Sequence, residues 1–390
     1  MLITQNRNLN NLSYGFSILF IAVGGIQQYL TSYFNDLGEP STGFNVLFLV
    51  YFAVFISNFY ASYFIERFSM KNLILISSFI YILAHLAIAM ENHLFVYGGA
   101  LMVGLVGAIL WNSQNGYLLA ISNEHNRGKN SGFFMAIYEI GSSSGIFFVG
   151  YFSGIYGYQT AFFVVAFLSL FSLFFFGKME HISAKKLENK ISNLAIFKSI
   201  TLIRVALLNS FIYFMIIGLA ISILPLQIHL LTDNGLAIGL LSGGFFFMPI
   251  LVSEKAGRYS DKHGRAIVVW VSIVLAIIGL VILHFSKGLL LLSVGTLFLA
   301  LAQSFLAPIF TAVQGDISTV ENQPFITTVF IFLKYIGLLV GVAVGSVFGL
   351  EWTYLIVIFL IGMVLLVSWR LMVDLTLVRD RILKELSRKS

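Results

Sequence analysis

The placement of charge between the apolar runs constrains this chain most. Apolar stretches of about 20 residues cover roughly 12–34, 43–64, 72–90, 94–120, 129–155, 157–177, 203–226, 235–256, 266–285, 288–315, 324–349 and 351–373, with short links between them. A helix of about 20 apolar residues crosses the roughly 30 Å of bilayer hydrocarbon. The pattern therefore predicts an all-α membrane protein of twelve transmembrane helices. The 23 Lys and Arg fall in every second link. Lys287 alone lies in a link of the opposite set, and Lys334 alone lies inside a stretch. All the others sit in, or at the edges of, the termini and the even-numbered links. Cytoplasmic links carry the Lys/Arg excess, so both termini are expected in the cytoplasm and the chain in the plasma (inner) membrane.

Composition agrees. Residues are 58% hydrophobic and 10% charged, against about a quarter charged in soluble domains. A pI near 9.3 could suggest nucleic acid, but the basic residues are spread over several links. Apposition to anionic membrane lipid explains them better, and no nucleic-acid partner is expected. Trp270 and Trp369 near inner helix ends, and Trp352 at an outer end, suit interfacial anchoring. With 0 Cys, neither disulfides nor thiolate metal sites are possible. No His, Asp and Glu group has metal-ligand spacing, and no phosphate-binding loop or nucleophilic triad appears. Neither an enzyme nor an ATP-driven pump is expected, and no cofactor. Asn11 leads into a first span too long for the apolar core of a cleavable signal, so that span is expected to stay.

The chain reads as two halves. A lysine-rich polar segment, 178–202, divides an N-terminal six-helix bundle (1–177) from a C-terminal one (203–373), and a tail (374–390) follows. After the second span the chain reads SYFIERFSMK from Ser62; after the eighth it reads GRYSDKHGRA from Gly257. Glu66 then falls on Asp261 and Arg67 on Lys262, an offset of 195. Independently, Gly141 and Gly145 fall on Gly337 and Gly341, an offset of 196. Two matches at nearly one spacing indicate a duplication, and parallel halves with the substrate site between them are one transporter architecture.

The segment Gly257 to Arg265 resembles the loop signature of the major facilitator superfamily: a Gly, an Asp four residues on, a base, then Gly-Arg. That resemblance covers the whole chain and implies the superfamily's fold of two pseudo-symmetric six-helix bundles. It also implies a cytoplasmic gate built from this loop and its first-half copy. The gate residues would be Glu66, Arg67, Gly257, Arg258, Asp261, Lys262 and Arg265. The link after the tenth span carries Asp316 and Glu321 without any Lys or Arg. One of them is expected to pair with Arg258 or Arg265. The first-half copy has Ser62 and Ser69 where glycines are usual.

A narrower resemblance runs from Gly104 to Ile137, GLVGAILWNSQNGYLLAISNEHNRGKNSGFFMAI. It is similar to the branch holding the "uncoordinated" ion-channel-regulatory proteins, through Trp111, Gln114, Tyr117, Glu124, His125, Asn130 and Gly132 among others. Two departures count against a standard drug/proton antiporter. Ala100 and its neighbours are apolar where many such exporters carry an Arg, and Gly145 precedes Ile146 where many carry Gly-Pro.

An ionisable group deep in a span is costly and a functional candidate by default. Glu139 and Lys334 each lie about ten residues into their spans, near mid-depth at 1.5 Å per residue. The glycine alignment superposes Tyr138-Glu139 on Lys334-Tyr335. Two opposite charges at matching positions could face one another across a central cavity, either as a permanent ion pair joining the halves or as a substrate and proton site. Amides and phenols fall on the spans that would line it: Gln27, Gln28, Asn112, Gln114, Asn115, Asn209, Tyr213, Gln303 and Gln314. Singly each could tie helices together. Pro249 and Pro308 mark candidate hinges.

The expected function is a secondary active transporter that moves a small solute by alternating access. A carboxyl drawn out of water favours taking up a proton, while a nearby ammonium opposes it, so proton coupling through Glu139 is preferred. A non-transporting regulator of a membrane partner such as an ion channel, and an exporter or flippase of amphipathic drugs or lipids, are the alternatives. Membrane lipid, a small-molecule substrate and a proton or other coupling ion are the expected partners of a monomer.

Overall fold

In lipid only a helix satisfies its own backbone groups within one segment, and among the described residues the long apolar stretches are helical. The structure, a computed structural model, describes residues 2–122, 127–181, 199–232, 234–317, 323–368, 371 and 375–387. Among them, 11 helices are long and apolar enough to cross a membrane. The last candidate, Val329–Ser368, takes in most of the final two expected spans, 324–349 and 351–373. It lies within one helix, Gln323–Ser368, broken at Gly349, whose φ of 61° and ψ of −172° are not helical. Only a residue without Cβ adopts that backbone cheaply, so the reversal between the spans needs no loop.

The chain divides into two compact units. One comprises Met1–Glu188 with Thr232–Phe247, the other Asn189–Leu231 with Met248–Ser390. The first unit contains α1 (Leu2–Asp36), α2 (Pro40–Arg67), α3 (Met70–Ile88), α4 (His93–Ala120) and α5 (Arg127–Tyr156). Its next span is made of two pieces, α6 (Tyr158–Ser169) and α7 (Phe171–Gly177). Polar residues set where helices start: Ser69 and Asn92 accept hydrogen bonds from the backbone N–H groups of Asn72 and Leu94, the usual N-cap arrangement. α5 lies tight on α1, because a Cβ at Gly141 or Gly145 would collide with the carbonyl oxygen of Ser17 or Ile21. Small residues permit such backbone approach where no hydrophobic effect drives helices together. α10 (Gly235–His263) starts in this unit, where the Tyr29 hydroxyl donates to the Ile146 and Gly235 carbonyls at 3.0 and 3.2 Å. It continues in the second unit from Met248, and Pro249 sits just past the division.

The second unit begins with α8 (Ile200–Leu208), a π-helical segment (Asn209–Phe214) and α9 (Met215–Thr232), which form one span. It continues through α11 (Arg265–Phe285), α12 (Leu289–Asp316), α13 (Gln323–Ser368) and the short amphipathic α14 (Leu375–Ser387). The repeat shows in its helix lengths. α4 and α12 each have 28 residues, and both ends of α12 fall 196 residues after those of α4. Outward faces are apolar: Leu290 is 79% and Leu366 76% exposed. Such a surface would aggregate in water but suits acyl chains.

Candidate functional site

Each unit carries one of the charged spans, and their surroundings differ. In the first unit, the glycine step on α1 fixes α5 and so places Tyr138 and Glu139. The Tyr138 ring stands 4.8 Å from that of Phe20 and 5.3 Å from that of Trp111. Phe16 joins the same group, 5.3 Å from Phe134 and 5.6 Å from Trp111. Edge-to-face contacts of this kind pack the site closed with rings. Glu139 follows Tyr138 on α5 and is partly buried.

The amides of this unit fall into three settings. Gln27 accepts from the Tyr51 hydroxyl at 3.1 Å, and Gln28 is buried on the same helix. Asn112 donates to Asn58 at 2.8 Å and to the Ala108 carbonyl at 2.7 Å, tying α4 to α2. Gln114 is 1% exposed, and neither of its amide atoms has a hydrogen-bond partner. An unpaired buried amide costs on the order of 1–3 kcal/mol, so Gln114 is an unmet polar demand of α4, beside the likewise unpartnered Ser113 Oγ. Asn58, the partner that sequence reasoning missed, is a lone amide in an apolar stretch of α2.

In the second unit, a cavity of about 120 Å³ opens beside Lys334. Asn209, Tyr213 and Phe214 from the π segment line it, with Thr311 and Gln314 from α12. The Lys334 ammonium lies 5.0 Å from the Phe214 ring centre and 5.3 Å from that of Tyr335, within the reach of cation–π attraction. Asn209 is 6% exposed and its Oδ1 has no hydrogen-bond partner. Tyr335 and Gln303 are buried but do not line the cavity. Sequence reasoning passed over Thr311 and Phe214. Thr311 was legible, standing three residues before Gln314 on one helix face.

The basic-loop residues form a charged group of their own. Arg265, in the first turn of α11, donates from Nε to Asp316 Oδ2 at 3.1 Å. It also donates to Ser260 Oγ at 2.7 Å and pairs with Asp261. Arg258 pairs instead with Glu254 four residues back, and Lys262 is exposed. Gly257 faces Pro308 at ordinary contact distance, 3.8 Å from where a Cβ would stand. In the first unit, the Arg67 guanidinium lies 4.0 Å from the centre of the Tyr63 ring. The Glu66 side chain, Glu321, Glu124 and His125 lie outside the described residues.

Two further clasps were invisible in the sequence. Asn8 Nδ2 donates to Glu180 Oε2 at 3.2 Å, and Glu180 N donates back to Asn8 Oδ1 at 3.1 Å. In the second unit, Glu385 of α14 accepts from Ser199 Oγ and Thr201 Oγ1, both at 2.7 Å, and from Thr201 N at 3.1 Å. In both units a glutamate beyond the sixth span thus holds the start of the first.

The profile of the Major Facilitator Superfamily matches residues 11–230 and again 206–388. Multidrug resistance protein 1 of Bacillus subtilis (strain 168) is 30% identical over 127 residues, 33% of this chain and 32% of that protein. Protein unc-93 homolog A of Homo sapiens is 29% identical over 148 residues, 36% of this chain and 32% of that protein. The chain thus spans about a third of the length of the curated relatives it matches. Among solved structures, a POT family transporter in complex with 5-aminolevulinic acid superposes with a TM-score of 0.75 at 11% identity, over 94% of this chain and 97% of that one. A POT family transporter in complex with a thioalcohol-conjugated peptide gives 0.78 at 9% identity, over 95% and 96%. At such identities these two likenesses concern the fold alone.

Proposed function

Because this chain belongs to the Major Facilitator Superfamily, we propose that it is a secondary active transporter, moving a small solute across the plasma membrane by alternating access and coupling that movement to protons through Glu139. The setting of Glu139 carries the reading. It is a partly buried carboxyl group near the middle of a span whose helix is seated backbone-to-backbone on α1. A charge at that depth is expensive and is retained where it does work. Protonating Glu139 removes one negative charge from the membrane interior. The ion pair between Arg265 and Asp316 belongs to a cytoplasmic gate, with Asp261 as its second carboxylate. The similarity to multidrug resistance protein 1 supports transport. The absence of an Arg around Ala100 argues against that protein's named role.

Counterflow in proteoliposomes tests the reading. Vesicles preloaded with one unlabelled amino acid, organic acid, sugar or drug at a time should take up the matching labelled solute for at least one of them. An imposed pH gradient should then drive its accumulation. The likeness to protein unc-93 homolog A, together with the Trp111 to Phe134 signature, favours a second reading, a non-transporting regulator of a membrane partner. Absence of counterflow across the whole panel would favour it.

A further inference from the structure

The outward surface of the second unit is apolar but not smooth. α11 packs against α13, and a groove of about 470 Å³ lies between the first half of α11 and the last turns of α13. Trp270, Phe359, Gly362, Met363, Leu365 and Leu366 line it. Gly362 has no side chain to fill it, and a Cβ there would meet nothing within 4 Å. Trp270, Phe359, Met363 and Leu366 are all exposed, so no other part of the described chain covers the groove.

What fills such a groove must be hydrocarbon. All six lining residues are apolar, and a polar group set against them would lose its hydrogen bonds. The volume falls within the roughly 300–1,000 Å³ of ligand pockets. Position narrows the choice. Trp270 stands five residues after Arg265, where α11 begins, which is about 7.5 Å along the helix axis at 1.5 Å per residue. Leu366 stands two residues before the end of α13 at Ser368. One end of the groove therefore opens where both helices end, and tryptophan is enriched at that level of a bilayer. The basic links predict that this face is the cytoplasmic one, whose leaflet carries anionic lipid. Charge at that end has the matching sign. Arg265 is taken up by Asp261 and Asp316. Lys262, in the last turn of α10, is exposed and has no ion-pair partner among the described residues.

We propose that this groove holds a resident anionic phospholipid of the inner leaflet. One acyl chain lies along Phe359, Gly362 and Met363, the phosphate sits on the Lys262 side, and the Trp270 indole N–H donates to an ester carbonyl. Burying the chain cannot by itself select this lipid, because bulk lipid tails are as apolar as the groove. Selection comes from the headgroup charge, and the groove fixes where that headgroup stands. The site does not depend on whether the chain transports a solute.

The test is tryptophan quenching in the full chain, reconstituted in phosphatidylcholine vesicles with a small share of brominated phospholipid. Subtracting the emission of Trp270→Phe isolates Trp270 among the 4 tryptophans. Brominated phosphatidylglycerol should quench Trp270 about fivefold more effectively, at equal mole fraction, than phosphatidylcholine with the same brominated chains, the preference that one lysine near the surface confers. Lys262→Gln should bring the two lipids level. Gly362→Leu, which puts a side chain into the open groove, should do the same with every charge in place, in a protein that elutes as a single species with an unchanged melting temperature. Equal quenching by the two lipids in the native protein would mean ordinary surrounding lipid only. No quenching by either would mean that another segment or a second copy of the chain covers the groove. Either result would overturn the proposal, as would an anionic preference that survives Lys262→Gln or a folded Gly362→Leu.

Discussion

Arg265 and Asp316 join the first turn of α11 to the last turn of α12, with the guanidinium Nε 3.1 Å from Oδ2. The arginine side chain is 19% exposed and the aspartate 41%, so water screens the pair and its direct worth is about 0–1 kcal/mol. In the proposed gate its use would be conformational. Asp316→Asn should leave thermal stability nearly unchanged and alter the distance distribution between spin labels at residues 68 and 264. An unchanged distribution would mean that the pair latches nothing. Asp261→Asn should do less, because Arg265 keeps its bond to Asp316.

Glu385 ties α14 to the start of α8. Burial alone would raise its pKa. The hydrogen bonds from Thr201 and Ser199, with Arg381 nearby, outweigh burial and hold it below the ordinary 4.5. A carboxylate whose folded pKa is depressed stabilises the fold above its unfolded pKa and loses that contribution as pH falls through the folded value. Amide exchange in residues 378–385 should therefore be slow at neutral pH and accelerate below the ordinary carboxylate range. Glu385→Gln should show the fast behaviour at every pH, at a cost of about 1–3 kcal/mol for hydrogen bonds to a charged group. Protection that does not depend on pH in the native protein would remove the clasp.

The membrane architecture was legible because its causes are local. Hydropathy, alternating basic links and the two glycine steps all act along the chain and leave their period in the sequence. The positions of Glu139 and Lys334 were legible for the same reason. The cavity was not, because Asn209, Tyr213, Thr311 and Lys334 come from three separate stretches that meet only when the helices pack. The partners of Asn112 and Glu385 depend on which helix faces which. No single apolar stretch states that.

The seat of Gly337 on Ser210 gives a direct test of close packing. A side chain there would collide with the Ser210 carbonyl, so Gly337→Val should cost roughly 1–3 kcal/mol, read as a fall in melting temperature. Gly362 has nothing within 4 Å, so Gly362→Val in the same helix should cost little. Equal effects would mean that α13 is not held by backbone contact.

The basic links predict that both termini face the cytoplasm. With 0 native Cys the background is clean. Asp36→Cys and Glu351→Cys should react with an impermeant maleimide in whole cells, and Lys186→Cys only after lysis. Labelling of Lys186→Cys from outside would invert the orientation.

Glu139→Gln, reconstituted in proteoliposomes with a solute that the native protein both exchanges and accumulates, tests proton coupling most directly. With the titratable group gone, the variant should still exchange labelled for unlabelled solute but fail to concentrate it under an imposed pH gradient. Accumulation equal to the native protein's would show that Glu139 does not carry the coupling proton, and would contradict the mechanism proposed here.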